Sequence, residues 1–144
     1  MKIFNILIIV LLMTQTASAE TIKDVPGTRS LSDKIVHLFL KEKFDKGMTL
    51  SKQYWSMPSF ELDRLASQLN SQWPPMKKNY GEPVGMEFVK ATKINDTFVK
   101  YYYLHKFQNH AIYWMITFYK PAKAWKLNGI TFKSDTSILF ETEK

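Results

Sequence analysis

Three sets of side chains in this sequence have types and spacing that could do chemistry. His105 titrates near neutrality and can move a proton. On a strand it shares a face with Tyr101, Tyr103 and Phe107. Glu82 and Glu87 stand at a strand start, and two carboxylates flanking a substrate can serve as acid and base. Five residues apart, they point to opposite faces unless a bulge intervenes. His105 and Glu87, helped by a tyrosine, are therefore the candidate catalytic groups. Tyr101, Tyr103, Tyr113 and Tyr119 carry flat, amphipathic rings on which an apolar ligand can stack. With His105 they form the candidate ligand-binding set. Each set also has a plainer reading: a partly exposed strand histidine bonded to a tyrosine, solvated carboxylates, and tyrosines in cross-strand packing.

The rest of the chain excludes more chemistry than it adds. Among 144 residues there is no cysteine, so there is neither a disulfide framework nor a thiolate. The three histidines, His37, His105 and His110, are dispersed without metal-ligand spacing, and no metal or cofactor is expected. No serine sits in a nucleophile elbow and no glycine loop could cradle a phosphate. The net charge is +7. It comes from scattered lysines, with Arg29 and Arg64 the only arginines. Specific nucleic-acid binding is therefore not expected. A soluble surface with loose attraction to anionic envelope surfaces is.

The N-terminus reads as an export signal. Lys2 is followed by an apolar run from Ile3 to Met13, broken only by Asn5, and then by Ala17-Ser18-Ala19. Cleavage is expected between Ala19 and Glu20, leaving a periplasmic or secreted domain. The run is short of the roughly 20 residues that a permanent anchor needs.

Residues 20–29, with Pro26-Gly27, read as a flexible leader, and residues 30–144 as one domain. Ser30 or Ser32 can cap a first helix whose apolar residues are Leu31, Ile35, Leu38 and Phe39, with Gly47 as its stop. Tyr54, Trp55 and Met57 are expected under a loop. Ser59 can cap a second helix carrying Leu62, Leu65, Ala66 and Leu69, ended by Pro74-Pro75. Beyond Tyr80 the texture changes. Nine aromatics fall within residues 97–119, and turn residues divide the remainder into strands near 84–93, 97–107, 111–119 and 123–133, with an end piece at 137–141. The connections are too short for parallel crossovers, so consecutive antiparallel pairing follows. Trp125 and Leu127 differ in parity from Ile130 and Phe132. A bulge at Asn128-Gly129 would return all four to one face. The apolar set Trp114, Ile116 and Phe118 should face the helices. The fold class is thus α+β: helices packed on a curved four-stranded antiparallel meander.

The phrase from Tyr80 to Phe88, the run Tyr101-Tyr102-Tyr103-Leu104-His105-Lys106-Phe107, the stretch from Tyr113 to Phe132 with Tyr119-Lys120-Pro121 and Trp125, and the closing Ile138-Leu139-Phe140-Glu141 resemble small secreted bacterial domains of the nuclear transport factor 2-like, cystatin-like α+β cone superfold. The resemblance covers residues 31–141 and implies a helix-lidded cone. Three helices are common there, and two are read in this sequence. The superfold hosts isomerases, dehydratases, transport adaptors and binding modules, so fold alone does not fix function. The expected role is an exported, non-catalytic binding or accessory module using its aromatic sheet or cone pocket. Its partner would be a small apolar ligand or an envelope protein, and a homodimer through the sheet is a further option. The alternatives are an isomerase- or dehydratase-type enzyme and a structural or inhibitory protein with a filled pocket.

Overall fold

The computed structural model describes residues 18–141. The apolar run assigned to export lies outside them. Three helices come first: α1 (Val25–Leu40), α2 (Phe44–Tyr54) and α3 (Phe60–Tyr80). Four strands follow: β1 (Pro83–Ile94), β2 (Phe98–Phe107), β3 (Ala111–Tyr119) and β4 (Lys126–Lys133). They form one antiparallel sheet in the order β1-β2-β3-β4. Among the described residues no helix is long and apolar enough to cross a membrane.

The leader expected at 20–29 is instead built into the fold. Ile22 bridges Trp125, exchanging N–H···O bonds of 2.9 and 2.8 Å. Asp24, not Ser30 or Ser32, caps α1 by accepting from the Gly27 N–H at 2.8 Å. Pro26 fits the first turn, where its missing N–H costs nothing. Ser32 is a buried helical residue.

Gly47 does not end α1. The chain turns at Glu42, which adopts φ 55°. Lys43 N–H donates to Leu38 O and Glu42 N–H to Phe39 O, the paired bonds of a Schellman stop. A non-glycine residue in this left-handed region costs on the order of 1 kcal/mol. Glu42 offsets that by tying the turn to α3: its carboxylate accepts from Trp73 Nε1 at 2.6 Å and from Lys77 Nζ at 3.2 Å. Gly47 lies within α2, the helix the sequence reading missed. It is there for space, since a Cβ would lie 2.4 Å from the Phe39 ring. Trp55 is buried as expected, whereas Met57 is 40% exposed.

Pro74 and Pro75 do not end α3. The buried Leu62, Leu65, Leu69 and Trp73 are continued by the part-buried Met76 and Tyr80. Burying each large apolar side chain gains about 1.5–3 kcal/mol, comparable to the about 3 kcal/mol that an interior proline costs. The carbonyls that lose their partners belong to Asn70 and Ser71, on the exposed side, where water can serve them. The segment 137–141 is a 3-10 turn, η1 (Ser137–Phe140), rather than a strand end piece.

The sheet agrees closely with expectation. Thr117 pairs with Gly129 and Phe118 with Leu127, leaving Asn128 as the extra residue of a bulge. Trp125, Leu127 and Ile130 are buried in the helix-facing core, with Phe132 packed against it. Trp114, Ile116 and Phe118 are wholly buried there too.

These contacts predict an inversion of the usual helix rule. Gly47→Ala, which on an open helix gains about 1 kcal/mol, should here lose about 1–3 kcal/mol by overpacking Phe39. Urea unfolding at pH 7 checks this; a more stable variant would contradict the packing.

Candidate functional site

Register divides the candidate residues between two faces. Tyr103 pairs with Trp114, Tyr101 with Ile116 and His105 with Ile112. Tyr101, Tyr103, His105 and Phe107 therefore lie on the helix-facing side. Tyr113 and Tyr119 lie on the outer side with Tyr102, Leu104 and Met115. The five-residue binding set is thus two sets separated by the sheet. Strand alternation makes a shared pocket impossible without a bulge, and the β2–β3 ladder runs without a register shift.

His105 is completely buried, not partly exposed. Its ring stacks on Phe107 at 4.9 Å and leans on Trp73 at 5.3 Å. Trp114 Nε1 donates to His105 Nδ1 at 3.1 Å. That bond fixes the neutral tautomer with its proton on Nε2, which has no hydrogen-bond partner among the described residues. Burial in this aromatic setting lowers the imidazole pKa to about 4, with the Glu42 carboxylate opposing weakly. Glu87 does not approach it. Glu87 pairs with Leu104 on the outer face and forms an exposed ion pair with Lys106 at 3.4 Å. Glu82 is likewise exposed, 3.0 Å from Lys77. The candidate catalytic pair is therefore split by the sheet.

The polar groups that do converge were not singled out in the sequence, apart from the tyrosines. Arg29 and Asp33 are one turn apart on α1 and ion-paired at 2.9 Å. Tyr103 donates its phenol proton to the same Asp33 oxygen at 2.7 Å. The Arg29 guanidinium lies 3.4 Å over the Phe88 ring and within 6 Å of Tyr101 and Tyr103. Tyr101 donates to Thr28 Oγ1 at 2.7 Å, and Thr28 donates onward to the Val25 carbonyl at 2.6 Å. Burial, reinforced by the Asp33 carboxylate, pushes the Tyr103 phenol far above its ordinary range. It serves as a donor only. The constellation pins α1 to β1 and β2. A shallow groove of about 320 Å³ beside it is lined by His37, Met86 and Leu40. The i, i+4 spacing of Arg29 and Asp33 was visible in the sequence; their meeting with Tyr103 depends on packing.

The outer face has two halves. Over the first, η1 crosses the sheet, and Lys90 Nζ donates to the carbonyls of Ile138 at 2.8 Å and Glu141 at 2.7 Å. Lys90 also lies over the Tyr102 ring at 5.3 Å. Tyr102 and Tyr113 are buried there. The second half is open. Phe98 and Tyr119 stack at 4.8 Å beside Ile94, which is 65% exposed. On the far side of the molecule a groove of about 580 Å³ runs between α3 and the edge strand β4, past Gln68, Met76, Tyr80 and Phe132. Among the described residues no cluster of histidine, aspartate and glutamate could hold a metal ion. No family model, no curated protein and no solved structure gives a significant match to this chain.

His105 predicts an acid sensitivity. Its folded pKa lies below the ordinary 6.5, so the stability it confers is complete above about pH 6.5. That stability falls as the pH drops and is lost through about pH 4, a change of about 3 kcal/mol. Urea unfolding of the native chain and of His105→Phe from pH 7.5 to 4 should show a shallower slope in the variant, whatever its stability at pH 7.5. Equal slopes would place the imidazole in water.

Proposed function

We propose that this chain is an exported, non-catalytic binding module of the bacterial envelope, built on a nuclear transport factor 2-like, cystatin-like cone, that meets its partner on its surface. One observation carries the reading: the space between helices and sheet is filled by side chains. Trp114 packs on Phe39 at 4.5 Å and on Phe132 at 5.1 Å. Trp73, Phe107 and His105 pack against one another in the same layer. Ligand pockets are usually preformed concavities, and the concavities here lie on the surface, among them the α3–β4 groove and the mainly apolar one on the open half of the outer face.

The split between His105 and Glu87 speaks against the isomerase- or dehydratase-type alternative, which needs both in one cavity. The filled interior also fits the alternative of a structural or inhibitory envelope protein with a filled pocket.

Expression of the full precursor, followed by mass measurement of the exported protein, tests both halves of this reading. The denatured mass should correspond to residues 20–144. The native mass should be that of protein alone, as monomer or dimer. An uncleaved precursor would refute export. A small molecule held in the native state and released on denaturation would refute the surface reading.

A further inference from the structure

We propose that the open end of the outer sheet face docks on an anionic lipid bilayer. The inference rests on the surface-binding reading above and names the partner class.

The patch is built from the β1–β2 hairpin and the β3–β4 connection. At its centre a shallow apolar groove of about 270 Å³ is walled by Ile94, Phe98, Thr117 and Gly129. The Asn128 bulge brings Gly129 opposite Thr117, and a Cβ at Gly129 would lie 3.4 Å from the Thr117 side chain. The groove floor is thus kept low. Ile94 projects at the rim, 65% exposed, next to the stacked Phe98 and Tyr119 rings.

Charge surrounds this centre with one sign. Residues 92–100 and 117–129 contain Lys93, Lys100, Lys120, Lys123 and Lys126 against Asp96 alone. Lys120 pairs with Asp96, so the single acid is already neutralised. The other four lysines have no ion-pair partner among the described residues. More than half of the chain's net +7 is therefore concentrated at one end.

That arrangement fits a fluid anionic surface better than a structured partner. Lysine ammoniums are point charges on flexible stems and lack the bidentate fork that fixed phosphates or carboxylates favour. Their stems can lie along an apolar surface while their heads reach outward to headgroups. Aromatic rings with one polar edge settle at the headgroup level, and a single protruding isoleucine can enter the acyl boundary. Each lysine near an anionic leaflet contributes about fivefold to partitioning, less as salt rises.

Sedimentation of the exported chain with vesicles at 0.1 M salt tests the proposal. One set is equal parts phosphatidylglycerol and phosphatidylcholine; the other is phosphatidylcholine alone. Binding is expected on the anionic set and at least tenfold weaker on the neutral one. K100Q/K126Q, the lysines that register places on the outer face opposite Thr117 and Tyr119, should lose about 20-fold. I94S should lose several-fold. K34Q/K41Q, which removes two exposed lysines at α1, should lose less than twofold. All these positions are exposed or part-exposed, and near-ultraviolet circular dichroism confirms that each variant keeps its aromatic packing. The proposal is overturned by no binding to anionic vesicles, by equal losses in the two lysine pairs, or by an unchanged I94S. Retention on poly-glutamate without retention on vesicles would replace the bilayer by an acidic polypeptide and also overturn it. Failure here leaves the native-mass result intact, so the two readings fail separately.

Discussion

The indole N–H of Trp114 imposes the constraint around which the interior is arranged. Trp114 is the largest fully buried side chain, and its N–H has no water to fall back on. An unsatisfied buried donor would cost about 1–3 kcal/mol. His105 Nδ1 meets that need from the neighbouring strand. The bond requires a neutral imidazole and a β2–β3 register that places Tyr103 opposite Trp114. A slip of one residue would send Trp114, Ile116 and Phe118 outward. Proton chemistry and packing therefore compete for the same imidazole. Packing wins because the ring is sandwiched by Phe107 and Trp73, with its one acceptor nitrogen already used.

The helices are held to this sheet by polar clasps at the rim of an apolar layer. Glu42, in a strained turn, ties the α1–α2 corner to Trp73 and Lys77 of α3. Asp33 ties α1 to Tyr103 while keeping Arg29 over Phe88. Both carboxylates are part-exposed, so neither bears the desolvation cost of a buried ion pair. Their value lies in geometry more than in Coulomb energy, since exposed pairs contribute about 0–1 kcal/mol. Each fixes a helix at a point where an aromatic ring must sit correctly in the layer beneath.

The strands were legible because alternation in a meander is a local signal. Trp114, Ile116 and Phe118 read as one face, and the change of parity at Asn128-Gly129 could be resolved by a single inserted residue. The helices were less legible where tertiary contacts overrode local punctuation. Gly47 read as a stop because glycine is a poor helix former, yet its lack of a side chain admits Phe39. Pro74-Pro75 read as a terminus, yet the apolar stripe from Leu62 runs on to Tyr80. The left-handed turn sits at a glutamate, and the sequence shows no reason until Trp73 is brought 31 residues back to it. The binding set failed for a related reason. Alternation gives two faces per strand, but which face of β2 joins which face of β3 depends on register, which the Trp114–His105 bond accompanies and alternation alone does not give.

The two halves of the outer face show how one aromatic surface can be closed or left open by a few residues. Near Tyr102 and Tyr113 the chain supplies its own cover, with Lys90 gathering the carbonyls at the end of η1. Here a lysine is spent on internal backbone groups, and the tyrosines beneath are buried. At the other end no segment among the described residues crosses the sheet. Lys120 there pairs with Asp96, the other four lysines have no ion-pair partner among the described residues, and Ile94, Phe98 and Tyr119 keep part of their surface in water. An exposed apolar centre carries a solubility cost that a surrounding ring of like charge offsets by repelling other copies of the chain. By the same physics such a charge favours contact with a surface of opposite sign, which is the premise of the bilayer proposal.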